Sequence, residues 1–269
     1  MAQKSGSLKA NGAIQLATYS KPLHLWDKAS GNVTDFTTHF SFSINSQGRT
    51  SYGDGLAFFL APAGSRILYD SAGDNLGLST ISQQLNTSNN HFVAVEFDTF
   101  QNVEYNPMDD HVGINIKSMQ SVINVTWFSS IPAGKRTDVW IKYNSTSENL
   151  TVVFTGFKDN STVTVMQSLS YNHDPREYLP EWVIFGFTGA TGDFFALKSI
   201  YSWIFSASLE DNDSCRSMGS PTKPQAKACT KKNKLRLVVG LVSGGSLLVA
   251  VCILMLFAFW RKKKVIEGE

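Results

Sequence analysis

Apolar and alternating runs of five to thirteen residues recur about every ten residues from Phe36 to Leu209, separated by clusters of Gly, Asn, Ser and Asp. Short runs bounded by turn formers are strand signals. FTTHFSFSI (36–44) alternates Phe with polar residues, whereas LAFFLAP (56–62) is continuously apolar, as a strand covered on both faces would be. The series continues with runs at 92–100, 111–116, 122–128, 139–143, 150–157, 163–169, 182–189 and 197–209. No segment before residue 235 sustains the 3.6-residue apolar period of a helix. The pattern predicts an all-β sandwich or barrel over roughly residues 7–209, in a domain drawn at 1–209, with no internal repeat.

Beyond it the composition changes. Residues 1–226 hold 15 Lys/Arg against 20 Asp/Glu, whereas residues 227–269 hold 9 against 2. An acidic domain argues against nucleic acid as a partner. Residues 210–236 read as a stalk rich in Ser, Pro and Lys. Leu237 to Trp260 carries no charge, long enough to cross ~30 Å of hydrocarbon as a helix. Trp260 suits the membrane interface, and Arg261–Lys264 open a short basic cytosolic tail, 261–269, with no room for a catalytic domain. Gly240, Gly244 and Gly245 suit helix contacts or nothing special. Cys252 lies within the span; Cys215 and Cys229 flank the stalk and are open to pairing with each other, with another chain, or with nothing.

Seven Asn-x-Ser/Thr sequons, at Asn32, Asn86, Asn124, Asn144, Asn149, Asn160 and Asn212, all precede the span. That distribution favours an extracellular domain. MAQKSGSLKANG lacks the apolar core of a signal peptide. Without a signal, a span so near the C-terminus would leave the domain cytosolic. The sequons outweigh this, and the expectation is a plasma-membrane protein with an incomplete N-terminus.

The stretch VAVEFDTFQNVEYNPMDDHVGINI (93–116) carries the chemistry. On a strand Val93, Val95 and Phe97 share one face, and Glu96 and Asp98 share the other, about 7 Å apart. Adjacent carboxylates repel unless a cation or proton lies between them. Glu96, Asp98, Asn102 and His111 supply a divalent ion's donors within sixteen residues. A glycosidase acid/base pair and a solvated strand face are the alternatives.

This stretch resembles the metal-binding strand and loop of the legume (L-type) lectins, V-A-V-E-F-D-T-x-x-N followed by D-P-x-x-x-H-[IV]-G-[IV]. GAIQLA (12–17), residues 21–44, GDGLAFFLAP (53–62), GDNLGLST (73–80) and FGFTGATG…YSWIFS (185–206) follow in family order. The resemblance implies an antiparallel, jelly-roll-like β-sandwich that binds carbohydrate and is not an enzyme. It implies that Glu96, Asp98, the Asp of D-P and His111 hold manganese. Calcium would be held by Asp98, the Phe100 carbonyl, Asn102 and that same Asp. The metals would shape the loop so that Asn102 and Asp54 bind sugar hydroxyls. In the family the Gly-Asp peptide at this position is commonly cis. Phe100 would stack on the sugar, and backbone near Asp74 with the Gly192–Asp193 loop would complete the pocket.

Three departures stand out. Asn106 replaces the D-P Asp, which weakens the donor set for two dications. Asp74 stands where the family usually has Gly, which narrows the pocket. The family's first strand is absent, which would expose a sheet edge. Five of the six tryptophans, Trp26, Trp127, Trp140, Trp182 and Trp203, read as core, and His24, His39, His91 and His173 as structural or exposed. The expected protein is a membrane-anchored plant lectin, a kinase-less relative of lectin receptor kinases. Its partners would be glycans or glycoproteins, with a second copy or a receptor kinase as further candidates. The alternative is a lectin-fold interaction or co-receptor domain that has lost metal and sugar binding.

Overall fold

A computed structural model describes residues 13–68, 70–102, 107–158 and 162–208. All ten expected runs are strands: β3 (Phe36–Asn45), β4 (Gly55–Pro62), β5 (Val93–Asp98), β6 (His111–Ile116), β7 (Ile123–Thr126), β8 (Thr137–Asn144), β9 (Asn149–Lys158), β10 (Val163–Asn172), β11 (Trp182–Thr191) and β12 (Leu197–Ala207). Two more precede them, β1 (Ala13–Thr18) and the two-residue β2 (Leu23–His24). One sheet runs β1-β11-β4-β5-β6-β7, with β2 also on β11; the other runs β10-β9-β8-β3-β12. Every pairing between these strands is antiparallel. The stalk, both its cysteines, the span at 237–260, the basic tail, Asn160 and Asn212 lie outside the described residues, as does everything before Ala13. Among the described residues no helix is long and apolar enough to cross a membrane.

The alternation of β3, β8 and β9 sends Phe40, Phe42, Val139, Ile141, Val152 and Phe154 into the space between the sheets. There they meet Phe58, Phe97, Phe187 and Trp203 from the facing sheet and from β12. Edge-to-face contacts dominate the centre, such as Phe42 on Phe97 at 4.8 Å and Phe187 on Trp203 at 4.9 Å. The other face of β4 and β5 is covered too. Ala57, Phe59 and Ala94 pack under Leu76, Phe92 and Met119 from the connections that follow β4 and β6. This second core explains the unbroken apolar run of β4.

The tryptophan expectation holds only in part. Trp127 and Trp203 are buried and Trp26 is half-buried, its indole N–H donating to Leu179 O at 3.0 Å. Trp140 and Trp182 lie on the surface, 41% and 37% exposed. Each stacks on a neighbouring-strand histidine, Trp140 on His39 at 4.8 Å and Trp182 on His24 at 4.5 Å. Their alternation was right, but they occupy the outward phase. Among the sequons Asn32, Asn86 and Asn124 are exposed. Asn144 and Asn149 are half-buried and face each other across the β8–β9 hairpin.

Candidate functional site

Antiparallel register brings the chemistry of β5 and β6 together: Asp98 pairs with His111, and Glu96 with Gly113. Glu96, Asp98 and His111 are all buried, which overturns the solvated-face alternative. One donor atom from each lies within 4.8 Å of the others. The hydroxyl of Ser121 donates to Glu96 Oε1 at 2.6 Å and fixes it. Asp98 Oδ1 accepts the Phe100 N–H at 2.8 Å. His111 Nε2 lies 3.5 Å from Glu96 Oε1 and has no satisfying hydrogen bond. Burial and the neighbouring Glu96 push the Asp98 carboxyl well up. Burial disfavours charged His111, but Glu96 and Asp98 outweigh it and raise its pKa. Two buried carboxylates around an unsatisfied imidazole nitrogen fit a divalent cation. Asn106 lies outside the described residues. Asp110, next to His111, accepts a hydrogen bond from the Ser129 hydroxyl.

Asp54 sits just before β4, next to this group. Its N–H donates to Ala190 O at 3.1 Å, and its carbonyl accepts both the Thr99 N–H and the Thr99 hydroxyl at 2.8 Å. The Gly53–Asp54 peptide is cis, as the family pattern implies. The side chain is 5% exposed, and its Oδ2 has no hydrogen-bond donor. Gly73 and Gly192 flank that oxygen; a Cβ on Gly192 would stand 3.2 Å from it. Gly73 also has φ +70°, where glycine is favoured. Burial raises the Asp54 pKa to about 6, with Lys198 opposing and Asp74 adding.

Asp74 lies in a 3₁₀ turn, Gly73–Asn75. Its carboxylate accepts amide N–H groups from Gln84 at 2.6 Å, Asn102 at 3.1 Å and Asn75 at 3.1 Å. It is therefore tied to Asn102 itself. The Phe100 ring lies 5.5 Å from Phe194, and Asp193 and Phe194 are exposed beside Gly192. Asp54, Asp74, Phe100, Asn102, Gly192 and Asp193 thus converge from four separate segments.

The sequence of residues 5–221 matches the legume lectin domain. The chain belongs to that family. Among its relatives, this legume lectin is 40% identical over 199 residues to lectin 7 of Medicago truncatula, covering 72% of the present chain and 75% of that one. Agglutinin-2 of Cladrastis kentukea is 37% identical over 201 residues, covering 75% and 68%. A lectin solved in complex with galactose superposes with a TM-score of 0.67 at 33% identity, covering 76% of this chain and 85% of that one. The metal-free form of lectin I-B4 from Griffonia simplicifolia gives 0.66 at 38% identity, covering 74% and 81%. The family is one of carbohydrate-binding proteins and not of enzymes.

Four residues of the legume lectin site escaped sequence reasoning. Ser121 and Gln84 are ordinary loop residues whose partners are remote in sequence. Phe194 was signalled by the FF pair after Asp193. Lys198 sits in an otherwise strand-like run, yet its ammonium donates to Gly53 O at 3.1 Å and Ala190 O at 2.5 Å.

Proposed function

We propose that this chain binds glycans at the Asp54–Asn102 cleft, beside a metal pair held by Glu96, Asp98 and His111 with the Phe100 carbonyl, Asn102 and Asn106. The supporting observation is the orphaned Asp54 Oδ2. A buried carboxylate oxygen with no donor, flanked by two glycines that leave room for an approaching group, matches a sugar hydroxyl. Calcium and manganese would supply fixed positive charge. The chain's own residues do the recognition. Asp54 accepts a hydrogen bond from a sugar hydroxyl, the Gly192 and Gly73 backbone lies beside the same atom, Asp193 and Asn102 line the cleft, and Phe100 with Phe194 gives an apolar wall for the C–H face of the ring. A shallow site of this kind binds single sugars weakly, and clustered glycans raise its avidity.

The same reading places the domain outside the cell, anchored at the plasma membrane by residues 237–260 and carrying glycans on its sequons. A receptor-kinase partner and a homodimer belong to this reading. Alkaline washing of membranes, with glycosidase shift assays on intact cells, tests the location; release of the chain by the wash sinks it.

Full chain in detergent, applied to a glycan array with calcium and manganese, should bind a defined set of glycans and lose them in EDTA. A folded chain that retains no glycan overturns the proposal. A second reading, an interaction domain without sugar binding, is favoured by the Asp74 carboxylate already occupying the Asn102 amide. Asp74→Gly separates the two: gained glycan binding shows a lectin held shut by one side chain, and none supports the interaction domain.

A further inference from the structure

Lys198 is the second residue of β12 in the five-stranded sheet, after Leu197, and pairs with Ile44 of β3. Its side chain crosses to the other sheet. There the ammonium caps two carbonyls, Gly53 O at the entry to β4 and Ala190 O near the end of β11. Ala190 O also receives the Asp54 N–H, so one carbonyl ties Lys198 to the backbone of Asp54. No ion pair within 4.0 Å joins the lysine to a carboxylate among the described residues, but it acts through space on both Asp54 and Asp98. Burial lowers its pKa to about 8, with those two carboxylates opposing, so the ammonium is charged at neutral pH.

We propose that Lys198 is a resident cation of this site: a positioning residue that fixes the Asp54 limb without metal and, by its charge, weakens the pull of Glu96, Asp98 and His111 on a divalent ion. It rests on the metal-site reading above and not on glycan binding. The Asn102 limb, which Lys198 does not touch, is left to the metal. A fixed positive charge in a poorly solvated site raises the electrostatic cost of a second cation nearby.

The test is the calcium response of thermal unfolding. The full chain in detergent is melted at constant pH in EDTA and in calcium, as wild type, Lys198→Gln and Lys198→Arg. Glutamine keeps a donor for the carbonyls and removes the charge. The expected result is a lower melting temperature for Lys198→Gln in EDTA and about tenfold tighter calcium binding. Its calcium-induced rise should exceed that of wild type, with Lys198→Arg behaving like wild type. A purely packing role lowers both melts equally and leaves the calcium increment unchanged; that outcome, or a smaller increment, overturns the proposal. If Lys198→Gln does not fold, Lys198→Met, which also lacks the charge, is melted in its place: an enlarged increment upholds the proposal and an unchanged or smaller one overturns it. No step involves a sugar, so a failed glycan array leaves the result intact.

Discussion

At the scale of single residues the site trades stability for binding. The folded-state pKa of Asp54, about 6, lies above its ordinary 3.8. Above pH 6 the folded protein therefore holds an ionised carboxylate it disfavours, and stability rises as pH falls from 6 towards 3.8. Asp54→Asn should raise stability at pH 7, by up to about 3 kcal/mol, while cutting glycan binding at least ~100-fold. Thermal melts and array intensity on one preparation check both signs. His173 behaves oppositely. It is buried among Tyr143, Tyr171 and Tyr178 with neither ring nitrogen bonded, and burial lowers its pKa to about 4. The unfolded chain takes up this proton near pH 6.5 and the folded one only near 4, so stability falls as pH drops through that window, by about 3 kcal/mol in all. His173→Phe should flatten this part of a stability–pH curve, and an unchanged slope would refute the assignment. Neither environment was legible in the sequence. Asp54 was marked by its motif and His173 by nothing, because burial belongs to what packs above a residue.

Among the elements, the β5–β6 pair carries the candidate metal ligands Glu96, Asp98 and His111, and its tolerance is narrow. A Cβ on Gly113 would stand 2.1 Å from Ser121 Oγ and 2.8 Å from Glu96 Oε1. Gly113→Ala should therefore displace the Ser121–Glu96 hydrogen bond, cost about 1–3 kcal/mol and weaken manganese binding. Denaturant titration and calorimetry of the full chain would show it, and wild-type metal affinity in a destabilised protein would disconnect the hydrogen bond from the site. Strand existence was readable almost everywhere, since period-2 alternation is local. β1 and β2 were not assigned as strands: β2 is two residues long, and both owe their pairing to β11, more than 150 residues away. The second face of β4 and β5 was foreshadowed by the unbroken LAFFLAP run, but the residues that cover it, Leu76, Phe92 and Met119, come from irregular connections.

Across the whole molecule the two sheets cohere through aromatic rings drawn from distant strands. Phe40 is fully buried and contacts the rings of Phe42, Phe58, Phe97 and Phe187. Phe40→Ala should cost about 3–5 kcal/mol, read as an earlier urea midpoint, with loss of metal uptake only where unfolding begins. A cost below ~1 kcal/mol would mean that the core closes around the vacancy. The sequence by itself determined the all-β class, the existence of ten strands with their limits only to within about three residues, and Glu96, Asp98, His111 and Asp54 as candidates, because alternation, turn residues and motif spacing are written along the chain. Only the tertiary structure decided that both carboxylates of β5 are buried, that Asp74 holds Asn102, that Trp140 and Trp182 face outward, and that Lys198 reaches under Asp54. The physical reason is that strand periodicity says which side chains share a face. What covers that face, and so its solvation, charge and hydrogen bonds, is supplied by segments far away in sequence.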